Sequence, residues 1–128
     1  MAEPSRAPAS PAAVTGWFLG LCGELEAVGD IARARLVLPE GHVPEADRLI
    51  AVEAMHQIAC RLAARARGAR RCVPARLDEL EITDETVPAD AVLEARLVRS
   101  GPLSTVRTSL RAQGRTRYAA TVRTQEVM

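Results

Sequence analysis

Two residues have the type and setting for proton transfer: His42, in a loop between Gly41 and Pro44, and Glu53, eleven residues later in an apolar run. An imidazole is the natural base near neutral pH. Between Leu49 and Cys60 the only formally charged side chain is Glu53, and the positions three and four away hold Leu49, Ile50, His56 and Gln57 but no arginine. Burying a carboxylate without a cation favours its neutral form, and a carboxyl group neutral near pH 7 can act as a general acid. On the residues alone each also has a plainer reading, as an exposed loop histidine and a glutamate that faces solvent or bonds to a loop. His56 lies one turn after Glu53 on the same helical face; it could bond to Glu53, line a pocket or pack. A zinc site built from these residues would lack ligands, so no metal is expected.

The elements that must position them follow from pattern. Residues 39–45 hold two prolines and a glycine and cannot be regular structure. A helix then starts near Asp47, which reads as an N-cap, and runs to Arg67 before Gly68, a good C-terminal cap residue. Ala51, Met55, Ile58, Ala59, Leu62 and Ala66 share one face, and Leu49 and Val52 make the opposite side apolar too, as expected of a buried helix. Before it, Gly29-Asp30 reads as a turn and 31–38 as a strand closed by Pro39. After it come four strand-like runs, at 72–82, 91–99, 103–113 and 116–126, with turns at Ser100-Gly101-Pro102 and Gln113-Gly114. In the last two, Val106, Thr108, Leu110 and Ala112, and then Tyr118, Ala120 and Val122, form one set of rows. Thr105, Arg107, Ser109 and Arg111, and Arg117, Thr121 and Arg123, form the opposing ones, with Ala119 the exception. A buried helix followed by an antiparallel meander is an α+β domain with a sheet wrapped around a helix.

Composition bounds the function. The chain has 128 residues and a net charge of +1, which implies neither nucleic acid nor an anionic membrane as partner. Trp17, Phe18 and Tyr118 are the only aromatic residues, too few for a base-stacking surface. All 17 basic residues are arginine. Cys22, Cys60 and Cys72 lack metal-type spacing, and their odd number argues against a disulfide framework. No apolar run approaches a membrane span and no signal peptide is evident, so the expected location is the cytoplasm. Residues 1–13, rich in alanine, proline and serine, read as a flexible tail, and 14–128 as a single domain.

Gly41-His42-Val43-Pro44, followed by Leu49-Ile50-Ala51-Val52-Glu53-Ala54-Met55-His56-Gln57, resembles the paired motifs of bacterial 3-hydroxyacyl-carrier-protein dehydratases. Those enzymes carry a Gly-His-Phe-Pro loop and a helix reading Glu-Ala-Met-Ala-Gln. The resemblance covers most of residues 14–126, including Val87-Pro88-Ala89-Asp90 between two strands. It implies a hot-dog fold, with an antiparallel sheet around a long central helix and two protomers pairing into a double hot dog. It also implies an active site at the dimer interface, with the histidine from one chain and the acid from the other. His42 would remove the α-proton of a 3-hydroxyacyl thioester and Glu53 would protonate the departing hydroxyl, giving a trans-2-enoyl thioester. The activity implied is that of a hydro-lyase in fatty-acid-like or polyketide biosynthesis. A backbone N–H at the helix start would polarise the carbonyl, with Arg48, His56 and Gln57 against the substrate. No cofactor is expected beyond the phosphopantetheine arm of an acyl carrier protein. Arg61, Arg65, Arg67, Arg70 and Arg71, at and beyond the helix C-terminus, would dock that partner, or would simply favour the helix dipole.

The loop after His42 is shorter than the family's and carries Asp47 and Arg48 in place of Pro-Gly. Val43 replaces phenylalanine, and His56 replaces a small residue. These departures point to a specialised relative, from a polyketide or polyene pathway. They also keep open a non-catalytic or half-active subunit that needs a related hot-dog partner, a hot-dog thioesterase in which Glu53 activates water, and a binding module for a hydrophobic ligand.

Overall fold

Gly29 takes the left-handed conformation (φ 60°) that a tight turn needs, and the chain pairs with itself on either side of it. β1 (Glu26–Val28) and β2 (Ile31–Arg35) form this hairpin. A computed structural model describes residues 20–68 and 71–127. The expected tail 1–13, Trp17, Phe18 and Arg70 lie outside them.

β2 alternates, with Ala32 and Ala34 buried and Ile31, Arg33 and Arg35 exposed. The strand stops at Arg35 instead of running to Leu38; Leu36 pairs singly with Cys22, and its N–H donates to the Ala91 carbonyl at 3.0 Å. A 3-10 turn at Pro44–Ala46 leads into α1 (Asp47–Ala66). There follow β3 (Arg71–Ile82), β4 (Val92–Arg99), β5 (Leu103–Ala112) and β6 (Arg115–Val127). Every strand pairing is antiparallel, in the order β1-β2-β4-β5-β6-β3. α1 therefore carries the chain across the sheet to its far edge. That edge position explains why β3 tolerates Pro74, whose missing N–H would break an interior ladder. β3 also bulges between Asp78 and Glu81, where Glu79 has φ 57°.

Alanine sets how closely helix and sheet approach. Ala51, Ala54, Ala59 and Ala63 are all 0% exposed, so short side chains bring the backbone of α1 down onto the strands. Met55, Ile58 and Leu62 fill the layer against Leu93, Val106, Leu110, Tyr118 and Val122. This is a helix packed on one face of a curved antiparallel sheet, as expected of a hot dog. No helix among the described residues is long and apolar enough to cross a membrane.

Two further expectations change. The helix is not buried all round, since Leu49 is 70% exposed and Ala66 is exposed as well. Asp47 is not the N-cap but the first helical residue; Ala46 holds the cap position and no side chain caps it. Arg117 and Thr121, in the row opposite Tyr118, Ala120 and Val122, are buried as well. The loop after β3 covers Arg117, whose guanidinium donates to Asp84 Oδ2 and the Thr86 carbonyl at 3.1 Å each. Thr121 Oγ1 is enclosed by Arg107 and Glu79.

Candidate active site

The path from β2 to α1 is compact because a glycine and a proline set its backbone. Gly41 has φ 79°, where a side chain would be strained, and the His42 N–H donates to the Pro39 carbonyl at 3.1 Å. Pro44 opens the 3-10 turn, a position where its missing N–H costs nothing. The turn folds His42 back over the helix start, placing its Nε2 2.6 Å from Asp47 Oδ1. Asp47 Oδ2 accepts the Val87 N–H at 2.9 Å. One carboxylate thus ties together the loop, the first turn of α1 and the segment before β4. Both side chains are largely buried, at 16% exposed for His42 and 10% for Asp47. The close contact is not an aligned hydrogen bond, and His42 Nδ1 is buried without a hydrogen-bond partner. One ring nitrogen therefore faces Asp47 and the other is enclosed.

Glu53 lies elsewhere. His42 and Glu53 form no ion pair with each other among the described residues. Beside Glu53 stands an ionisable group, His56, whose Nδ1 is 3.9 Å from Glu53 Oε1. The Glu53 side chain is 37% exposed, so its desolvation is partial and not that of a fully buried acid. Burial holds the His56 pKa below its ordinary value, against the opposing pull of Glu53. At neutral pH His56 is then an uncharged imidazole, and among the described residues Glu53 has no ion pair with an arginine. Leu49, Glu53 and His56 recur at helical spacing with Val52 beside them, and form an incompletely covered apolar flank of α1 around one carboxylate.

The other predicted site residues separate into structural and free. Gln57 is buried, and its Oε1 accepts the Leu21 N–H at 2.9 Å. Arg48 pairs with Glu85 across an open groove of about 520 Å³ at the start of α1, lined also by Pro44, Glu45, Asp47 and Thr86. Arg61 donates to the carbonyls of Cys22 and Gly23 at 3.0 and 2.7 Å, and Arg67 to Glu126 at 3.0 Å. Both have internal work, which leaves Arg65 and Arg71 as the exposed members of the expected docking cluster among the described residues. His42, Glu53 and His56 are not gathered into a metal cage; among the described residues no three potential ligands are. Cys60 is buried, and burial pushes its thiol up to about 12, far from a nucleophile's range.

Sequence reasoning missed the role of Asp47. Its position shortly after His42, with a proline between, was the available signal; the distant partner, a backbone N–H at Val87, left no trace in residue type.

No family description and no curated protein matches the chain. Solved structures do resemble it. A conserved protein of Pseudomonas aeruginosa aligns at 14% identity with a TM-score of 0.65, covering 91% of this chain and 92% of that one. A candidate thioesterase from Ralstonia eutropha, related to phenylacetic acid degradation, aligns at 20% identity and TM-score 0.62, over 96% of this chain and 92% of that one. A thioesterase superfamily protein from Shewanella loihica aligns at 12% and 0.60, over 82% and 90%. At these identities the likeness shows the fold, which is the hot dog.

Proposed function

We propose that this chain hydrolyses acyl thioesters, with Glu53 as general base. The observation that carries this reading is the contrast between its two candidate groups. Glu53 is a part-exposed carboxylate beside a neutral imidazole on an apolar flank, whereas His42 has its Nδ1 buried and its Nε2 set against the Asp47 carboxylate. Glu53 takes a proton from water as the oxygen attacks the thioester carbonyl. The tetrahedral intermediate then expels the thiolate, which leaves as the thiol with the proton from Glu53. Leu49 and Val52 supply apolar surface for the acyl chain. The thioesterase descriptions of two of the resembling structures agree with this reading.

The flank is too open in one chain to exclude water. We therefore also propose that a second copy, or a related hot-dog subunit, covers it, and that the acyl group arrives on a phosphopantetheine arm in the cytoplasm.

The dehydratase reading keeps one specific support. The Asp47 carboxylate lies 2.6 Å from Nε2 of His42, the histidine of the Gly-His-Val-Pro motif. Dehydration would need His42 to turn from Asp47 toward Glu53 of the partner subunit. Incubation with saturated acyl and with 3-hydroxyacyl thioesters separates the two. Free thiol from both, without loss of water, is the expected result. Loss of water with no thiol released would replace hydrolysis by dehydration, and no turnover by the purified chain would make it a subunit that needs its partner.

A further inference from the structure

The outer face of the sheet, away from α1, carries a charge imbalance that the proposed hydrolysis does not use. β2, β4 and β5 are neighbours and together contain Arg33, Arg35, Arg96, Arg99, Arg107 and Arg111 against a single acid, Glu94. The register sets Arg96 directly opposite Arg107. Like charges facing each other across a strand pair destabilise it. Arg107 is partly offset, reaching Glu79 at 3.0 Å and Thr121 Oγ1 at 2.6 Å from β3 and β6, and Arg33 pairs with Glu94 at 3.0 Å. Arg96 has no ion pair among the described residues. Between these side chains runs an open groove of about 480 Å³, within the range of small-molecule sites. Its walls include Ser109 and Thr116, which bring hydroxyl groups, and Ile31 and Ala119, which bring apolar surface.

We propose that this groove binds an organic phosphate, a small molecule whose phosphoryl oxygens lie between Arg96 and Arg107 and whose carbon skeleton rests on Ile31 and Ala119. The planar guanidinium fork matches phosphate oxygens two at a time. An anion placed there converts the opposed pair from a repulsion into a clamp, with the Ser109 hydroxyl in reach as a neutral donor. The small side chain of Ala119, opposite Ser109 in the register, keeps the groove floor low enough for the ligand to lie along the strands.

Inorganic pyrophosphate is the probe, titrated into the full chain at constant ionic strength while backbone amide NMR signals are followed. The expected result is a saturable shift at Arg96, Arg107 and Ser109, with affinity falling about tenfold or more in Arg96→Gln. Because Arg96 has no ion pair to lose, Arg96→Gln without pyrophosphate should melt at or above the wild-type temperature. Added pyrophosphate should then narrow or reverse that difference. Shifts that sodium chloride reproduces, an unchanged affinity in Arg96→Gln, or a site that takes only an acidic protein would each overturn the proposal. So would an Arg96→Gln chain that melts lower on its own, since Arg96 would then serve the fold.

Discussion

His42 and Asp47 meet at 2.6 Å across the break between loop and helix, and the second oxygen of the same carboxylate holds the Val87 N–H at 2.9 Å. Asp47→Ala would leave that buried amide without a partner and should cost roughly 1–3 kcal/mol in urea unfolding. Asp47→Asn keeps an acceptor for Val87 and should cost less. Equal losses in the two variants would shift the weight to the contact with His42, which a double-mutant cycle with His42→Ala measures directly.

Glu53→Gln should lower kcat/KM for thioester hydrolysis by about 10²–10⁴, the usual contribution of a positioned base, with the melting temperature little changed because the side chain is part-exposed. His42→Ala should leave hydrolysis within a few-fold of wild type once its loss of stability is allowed for. Reversal of that order would favour His42 as the reacting group.

The pH dependence of stability has a defined sign at His56. Burial holds its folded pKa below the ordinary value of 6.5, so the unfolded chain takes up the proton first as pH falls. Stability from this group is full above 6.5 and declines through the window down to the lowered pKa, below which the loss is complete. Urea midpoints above and below pH 6.5 should show this decline in the wild type and a flatter profile in His56→Gln.

Thiol reagents offer a check on packing. Cys60 is 2% exposed with its thiol pushed up to about 12, and Cys72 is 6% exposed. Cys22 is only partly buried, although its thiol is also raised by burial, ahead of the opposing Arg61. Native protein at mildly alkaline pH should label first at Cys22, and Cys60 only at the rate of unfolding. Rapid modification of Cys60 would mean that α1 leaves β3 more readily than its packing implies.

Legibility followed local chemistry. β2, β4, β5 and much of β6 were readable because one side of each meets the helix and alternation records that. β1 was not, since three residues carry too little pattern and their pairing depends on the turn at Gly29. The burial of Arg117 and Thr121 was not, because a loop far along the chain covers the second side of β6. In the site, Glu53 was recognisable from its neighbours, but its part exposure depends on how α1 sits on the sheet. Asp47 was visible only as a helix-start residue, because its two partners are a loop side chain and a distant backbone N–H.

The bond from the Leu21 N–H to Gln57 Oε1 has a practical consequence. Leu21 lies outside the named strands, and this amide is held by a helix side chain, not by a ladder partner. Its hydrogen-exchange rate therefore reports on the contact between α1 and the segment before β1, which the Leu21 carbonyl also ties to Val37. A single amide signal, followed as acyl ligand is added, would report whether the flank bearing Glu53 tightens when occupied.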